Sequence, residues 1–480
     1  MDDVAGPGTR AAAAPRRELG LLDLVFFHVA AIVSVRWISL AAAEGPASLG
    51  LWGLALAGFF LPAGYVVLDS SRRAPEAGGI YAWTRTAFGP FHGFLCAWCY
   101  VVSNLFYFPA ILVTLAGYSI LVAPGAAPGA EPGGPYVIAF SLGALAAVTA
   151  LGVAGLRYGK WLQNLGALAL WIPCALLVGL GAVRVLSAGP ASPFDRLLPD
   201  LAEPGTWRVW SSVCFAFAGL ELASCFLAEI RDPERTVPRS IVLAGIAIAL
   251  VYVLGTASVL ACLAPGEARA LTGILQAISA VGASAGLPAL TPLVAALLTI
   301  GGLGSIGAWF SGAARLPQAV GVDRYLPEWT AAAHPKFGTP HKTLVAQGVL
   351  AGAFVLAGFA GTSVREGYQV LTDATTILYF IPYAYLFASH ATTTLRSRDG
   401  RRRALPLLAD GAGLLSTLVA LVFAAIPPAD SESPLLFVAK VAGGSLGMAL
   451  AAAALYATGK RRARLTGDAS PASSRRPGGG

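Results

Sequence analysis

From about residue 20 to residue 457, one apolar stretch of about 20 residues follows another, with almost no charge inside each. A helix rises about 1.5 Å per residue, so such a stretch matches a hydrocarbon layer about 30 Å thick. A water-soluble fold has no way to hide so much apolar surface. With lipid as the main solvent, each stretch must satisfy its own backbone groups, and at this length that means a helix. Breaks at charges, glycines and prolines give twelve spans: 21–43, 47–69, 93–122, 136–156, 161–187, 207–229, 240–262, 288–314, 343–361, 367–391, 405–427 and 434–457. The composition agrees: 56% of the 480 residues are hydrophobic, 12% are charged, and the mean hydropathy is +0.68.

Basic residues orient the spans, because Lys and Arg in short loops stay on the cytoplasmic side. With a cytoplasmic N-terminus, 26 of the 33 Lys and Arg fall in the two tails and the even-numbered connections. Five lie at or beyond the outer span ends (Arg184, Arg196, Arg208, Arg269, Arg365), and Arg36 and Lys440 lie within spans. The net charge of +8 therefore reads as orientation in a membrane and calls for no nucleic acid. The expected organisation is a cytoplasmic tail over 1–19, one transmembrane domain over 20–458, and a disordered cytoplasmic tail over 459–480 rich in Arg, Ser, Pro and Gly. The N-terminal segment is not followed by a signal-peptidase site and reads as retained.

Soluble chemistry finds little support. The six cysteines lie in apolar stretches and read as small buried residues, including the pair in Cys96-Ala-Trp-Cys99. The histidines His28, His92, His334, His341 and His390 form no metal-ligand spacing, and no phosphate-binding glycine fingerprint occurs. No enzyme, cofactor, metal site or ATP drive is expected.

Transporter sites tend to lie where membrane helices are interrupted and main-chain groups are exposed at mid-depth. Two spans carry such marks. Span 1 places Arg36 beside Trp37 in an apolar run, and span 6 sets Gly219 and Glu221 in mid-span before a charged, proline-terminated loop. These spans open two successive five-span blocks, 1–5 and 6–10. Five is odd, so the blocks enter the membrane in opposite senses, the arithmetic of an inverted repeat.

Three segments then carry a family resemblance. Leu68–Gly89 contains Pro75, Gly78, Gly79 and Tyr81 in a Pro-x-x-Gly-Gly-x-Tyr pattern after span 2; Phe215–Ile241 covers the interrupted span 6 and its exit. Ala314–Pro340 holds Arg315, Asp323, Leu326, Pro327, His334, Pro335, Gly338, Thr339 and Pro340 after span 8. In this order and on these spans they resemble the amino acid, polyamine and organocation permeases of the bacterial amino acid type, from about Gly20 to Arg398. The resemblance implies an all-α membrane protein with a 5+5 inverted repeat, discontinuous spans 1 and 6, and peripheral spans 11 and 12. Spans 1, 2, 6 and 7 would rock against spans 3, 4, 8 and 9. The implied function is alternating-access transport of an amino acid or related amine across the bacterial plasma membrane, by proton symport or substrate exchange. A non-transporting amino-acid sensor or structural membrane protein, or a carrier of another small molecule on the same scaffold, is the alternative.

Carried over by position, the resemblance sets the span 1 break at Ala30, Ala31, Ile32, Val33 and Ser34, to meet a substrate carboxylate. The span 6 break falls at Phe215, Ala216, Ala218 and Gly219, with Phe215 as an aromatic lid. Two departures stand out. The glycines usual at the span 1 break are replaced by Ala30 and Ala31, so unwinding should be less permissive, and Leu170 occupies the position where some proton-coupled relatives carry a lysine.

Arg36 reads either as a carboxylate contact or fixed cation, or as a structural ion pair or snorkelling residue. Glu221 reads as a titrating coupling group or as a glutamate that holds the break. Asp69 is a second coupling candidate, read mainly as a gate or loop ion pair together with Glu76. Asn104, Tyr107 and Trp309 line a cavity or merely pack helices. Ser305 and Ser311 back-bond their own helix or serve an ion.

Overall fold

The computed structural model describes residues 17–74, 79–123, 126, 132–269, 272–317, 325–358, 364–397, 403–427 and 434–465. Most of the two tails, together with Pro75, Glu76, Gly78 and Asp323, lie outside the described residues. Among the described residues the elements are helical apart from a parallel bridge joining Leu19 to Ile230.

Span 1 is two helices, Leu21–Ile32 (1a) and Val35–Ala43 (1b), bent by 42° at the break. Span 2 is Ser48–Arg73, with a π turn at Leu56–Phe60. Spans 3, 4 and 5 are Pro90–Ile120, Gly134–Ala154 and Leu156–Ala188. Span 6 is an α-helix over Pro204–Phe217 (6a) followed by a 3₁₀ segment over Leu220–Glu229 (6b). Spans 7 and 8 are Pro233–Cys262 and Leu290–Ala313; spans 9, 10 and 11 are His341–Gly358, Val364–Arg396 and Ala404–Ala424. Span 12 runs from Pro434 to Leu465 through a π turn at Ala439–Gly443. Short helices at Ile80–Phe88 and Gly273–Ser284 lie in the 2–3 and 7–8 connections.

Nine of these helices, or ten with the bent pair of span 1, are long and apolar enough to cross a membrane among the described residues. Interrupted span 6 and shorter span 9 complete the twelve. Span 12 continues through Gly459, into the segment expected to be disordered. Its terminal Lys, Arg, Ala and Leu are good helix formers. Gly459 also sits against the Tyr325 backbone, where a Cβ would lie 2.7 Å from the carbonyl oxygen.

Burial separates core from periphery. Of the apolar window of span 3, 83% is buried inside the protein, and of span 8, 72%, against 22% for span 12 and 33% for span 11. Spans 3 and 8 are therefore the inner pillars, and spans 11 and 12 flank them. Spans 5 and 8 touch backbone to backbone at Gly166 and Gly304, where a Cβ on either would come within 2.6 Å of the other's Cα. In span 2 the residue four after Gly58 is Pro62, which has no N–H to donate, and the Gly58 carbonyl accepts the Ser416 hydroxyl of span 11 at 2.9 Å.

Gly79, from the Pro-x-x-Gly-Gly-x-Tyr pattern, has φ +45° and lies so close to Ser224 that a Cβ would fall 2.0 Å from its Oγ. The pattern therefore docks the 2–3 connection onto 6b. On the same face, the face from which span 1 starts, Arg231 N–H donates to Leu19 O at 2.9 Å and Glu18 N–H to Glu229 O at 2.9 Å. Arg315 of span 8 grips Glu229 of 6b with two bonds of 2.8 and 3.0 Å.

Candidate functional site

The two interruptions are built differently. In span 1 the helix stops after Ile32, and Val33 (φ −68°, ψ 115°) and Ser34 (φ −130°, ψ 118°) are extended. The break is thus Val33–Ser34, narrower than the expected 30–34; Ala30, Ala31 and Ile32 remain the last turn of 1a. Any L-residue adopts extended backbone, so no glycine is needed. In span 6 the α-helix ends at Phe217, Ala218 is extended, and Gly219 takes φ +132°, which L side chains rarely adopt. A Cβ there would also lie 2.8 Å from Ile32 Cγ1. The break is Ala218–Gly219, while Phe215 and Ala216 stay helical because their turn closes normally.

Hydroxyls and an indole from neighbouring spans occupy much of the freed backbone. The buried Tyr252 hydroxyl of span 7 lies 2.6 Å from Ile32 O and 3.0 Å from Ala216 O, and it accepts the Ser34 N–H at 3.2 Å. Trp309 Nε1–H of span 8 donates to Ala31 O at 2.8 Å. The Tyr383 hydroxyl of span 10 accepts the Gly219 N–H at 2.8 Å.

Between the breaks lies a small cavity of about 20 Å³. Of the expected residues, Ala31, Ile32, Asn104, Tyr107, Phe215, Ala218 and Trp309 line it. Ala30, Val33, Ser34, Ala216, Gly219 and Arg36 are not in its lining. Trp37, Ser103, Thr375 and Tyr379 complete it. The wall is aromatic: Phe215 meets Trp37 edge-on at 5.6 Å and Tyr379 at 5.5 Å, and Trp309 meets Tyr379 at 5.3 Å. Ser103 and Asn104 bond the Tyr100 carbonyl at 2.8 and 2.7 Å, and Thr375 bonds Leu371 O at 2.6 Å.

Arg36 sits behind Trp37. It is 2% exposed, its guanidinium carbon is 4.2 Å from the Trp37 ring centre, and Nη1–H donates to the Tyr368 hydroxyl at 3.0 Å. Nε is buried without a partner, and Arg36 is absent from the ion pairs among the described residues. Its charge rests on aromatic faces and one hydroxyl.

Glu221 is 1% exposed and is ringed by tyrosines. Tyr100 donates to Oε1 at 2.9 Å, and Tyr379 and Tyr383 hydroxyls bond Oε1 and Oε2. Tyr383 therefore joins the Gly219 amide to the Glu221 carboxylate, and Tyr379 joins that carboxylate to the cavity wall. Asp69 lies away from the cavity, near the end of span 2, where it bonds Arg73 at 2.6 Å and His390 at 2.8 Å.

Sequence reasoning placed span 10 but gave it no part in the site, to which it supplies Tyr368, Thr375, Tyr379 and Tyr383. A signal was there: its mean hydropathy of 1.3 is the lowest of the nine long spans, and hydroxyls recur at residues 368, 372, 375, 376, 379 and 383 with helical spacing. Leu170, at the position where a lysine was sought, fills the space beside Gly301. Ser305 is buried beside Tyr107. Among the described residues no His, Cys, Asp and Glu group is arranged to hold a metal.

Comparison with known proteins adds the following. A family model described as amino acid permease matches residues 19–445. The chain is 31% identical over 464 residues to an uncharacterized transporter of Mycobacterium tuberculosis (strain ATCC 25618 / H37Rv), covering 94% of each. It is 23% identical over 407 residues to the serine/threonine exchanger SteT of Bacillus subtilis (strain 168), covering 81% of this chain and 86% of that one. The crystal structure of MhsT in complex with L-phenylalanine matches with a TM-score of 0.62 at 13% identity, over 85% of this chain and 99% of that one. That identity speaks for the fold alone.

Proposed function

Because the chain belongs to the amino acid permease family and spans the membrane many times, we propose that it carries amino acids or closely related amines by alternating access. The termini face the cytoplasm, the membrane is the bacterial plasma membrane, and the driving process is proton symport or substrate exchange. The observation that carries this reading is the meeting of two broken spans at one aromatic-walled cavity.

The chemistry suits a zwitterion. The first N–H groups of 1b have no partner within their helix, and the positive end of its dipole favours a carboxylate. Arg36, the second residue of 1b, adds a full charge that no carboxylate among the described residues neutralises. An ammonium is favoured at the opposite pole, by the last carbonyls of 6a and the ring faces of Phe215, Trp309 and Tyr379. Phe215, bridging Trp37 and Tyr379, is placed to cover the bound molecule.

Motion has identifiable ties to break and remake. Trp309 bonds span 8 to 1a, Tyr383 bonds span 10 to the 6a–6b break, and the Arg315–Glu229 pair joins span 8 to 6b on the terminal face. Rocking spans 1, 2, 6 and 7 against their neighbours must rearrange these contacts. The test is uptake of labelled amino acids and amines into proteoliposomes, with a pH gradient or with internal unlabelled substrate. Uptake of at least one zwitterionic amino acid is expected; no uptake of any amino acid or amine under either condition overturns the reading.

A further inference from the structure

The face carrying both chain ends holds a second cluster of ionisable groups, apart from the cavity. Asp69 lies in the last turns of span 2, His390 in the last third of span 10 and Asp410 in the first two turns of span 11. His390 Nε2 is 2.8 Å from Asp69 Oδ2, and Nδ1 is 2.8 Å from Asp410 Oδ1. Arg73 reaches the same Asp69 oxygen at 2.6 Å, and the Tyr65 ring stands edge-on to the imidazole at 5.9 Å. These are the charged and titratable groups that contact the imidazole or its carboxylates among the described residues: Tyr65, Asp69 and Arg73 from span 2 and Asp410 from span 11. The side chains of His390 and Asp410 are 1% and 4% exposed, that of Asp69 22%, so Asp69 is the edge open to water. Asp410 Oδ2 is buried without a partner.

Proton counting makes this arrangement informative. A neutral imidazole has one N–H and one lone pair. It can donate to one aspartate, but its other nitrogen then faces an ionised oxygen at hydrogen-bond distance with no hydrogen between them. Both contacts close only with one further proton, either as imidazolium donating to both carboxylates or as a carboxyl O–H donating to neutral imidazole. The two nitrogens point at separate carboxylates, so the three residues do not converge on a point where a metal would sit.

We propose that Asp69, His390 and Asp410 form a proton-binding site whose single shared proton ties span 2 to spans 10 and 11. Release of the proton through Asp69 to the water on the terminal face leaves a lone pair against a carboxylate, and the tie opens. The link to transport rests on the alternating-access reading, in which span 2 moves with the broken spans; the proton tie itself does not.

The experiment uses the full-length protein in lipid nanodiscs, with spin labels on cysteines introduced by Arg72→Cys in span 2 and Leu405→Cys in span 11, both exposed positions. Electron–electron distances are read from about pH 5 to about pH 9. We expect one short distance at low pH and a longer population that grows as pH rises. Asp410→Asn supplies an amide N–H to one imidazole nitrogen while the other donates to Asp69, so the distance stays short at every pH. His390→Phe has no N–H to donate to either carboxylate, so the longer population is present at every pH. A pH-invariant distance in the parent, or an unchanged pH response in Asp410→Asn, overturns the proposal. Uptake assays on the same preparations separate the two readings. A pH-dependent distance without flux of any amino acid refutes transport and leaves the tie standing, whereas flux with an invariant distance refutes the tie alone.

Discussion

The break in span 1 and the break in span 6 face each other, yet they rest on different physics. The span 6 break is written into its own residues: Gly219 alone accepts φ +132°, and the Glu221 carboxylate two residues on anchors the turn through three tyrosines. The span 1 break has no special residue. Val33 and Ser34 are merely extended, and partners on spans 7 and 8 hold them so. One interruption is imposed by local conformation, the other by its neighbours. Substitution should therefore act at the glycine in span 6 and at a distant side chain in span 1.

The largest effect is expected at Gly219→Ala. A methyl there meets both forbidden backbone and Ile32 Cγ1 at 2.8 Å. Left-handed strain and overpacking each cost about 1–3 kcal/mol. Amino acid uptake should fall by about 100-fold or more, with a lowered melting temperature of the purified protein. Wild-type uptake in this variant would show that the break does not need its glycine.

Next comes Tyr252→Phe, which tests the span 1 side. It removes one hydroxyl that serves the Ile32 and Ala216 carbonyls and the Ser34 amide. Buried groups left unsatisfied cost about 1–3 kcal/mol. Uptake should drop by about 10-fold or more, and hydrogen exchange at Ser34 should quicken. If exchange at Ser34 is unchanged, Tyr252 does not hold the break.

These two cases show why sequence reading went only part of the way. Apolar length is a local property, so the twelve spans emerged with ends within about five residues except the start of span 7 and the end of span 12, and Gly219 with Glu221 marked span 6 because a mid-membrane carboxylate is costly. At span 1 the missing glycine suggested resistance to unwinding. The break is indeed short, with Ala30 and Ala31 still helical, yet it forms without glycine, because glycine is required only at positive φ and the bend there uses none. The tyrosines of span 10 and the pairing of His390 with Asp410 were passed over for a different reason. Which face of a helix meets which neighbour is settled by tertiary placement, and an aromatic in an apolar span looks the same whether it packs or donates a bond.

Arg36→Gln gives a smaller expected effect and asks what 1b contributes beyond its backbone. Gln keeps a donor for Tyr368 but loses the charge and the stacking on Trp37. A charge-assisted contact is worth roughly 1.5–3 kcal/mol. KM for every zwitterionic amino acid should rise about 10-fold or more, with a smaller change for amines lacking a carboxylate. An equal loss for both substrate classes would assign Arg36 to packing.

The smallest effect is expected at Ser34→Ala, in the middle of the span 1 break. The Ser34 backbone is bound by Tyr252, but no bond of its side chain is found among the described residues, and its φ of −130° suits alanine as well as serine. Ser34 is the N-cap of 1b, but its hydroxyl makes no cap bond there, so its loss should change stability by less than about 0.5 kcal/mol. Uptake should therefore stay within about twofold of the parent. Ser34→Ala and Gly219→Ala place a methyl at facing breaks of one cavity, so the ratio of their effects measures how unequally the two interruptions depend on their own residues. A loss at Ser34 as deep as that at Gly219 would mean that the serine hydroxyl touches the transported molecule. The extended backbone of span 1 would then be a site of recognition as well as a bend held by Tyr252.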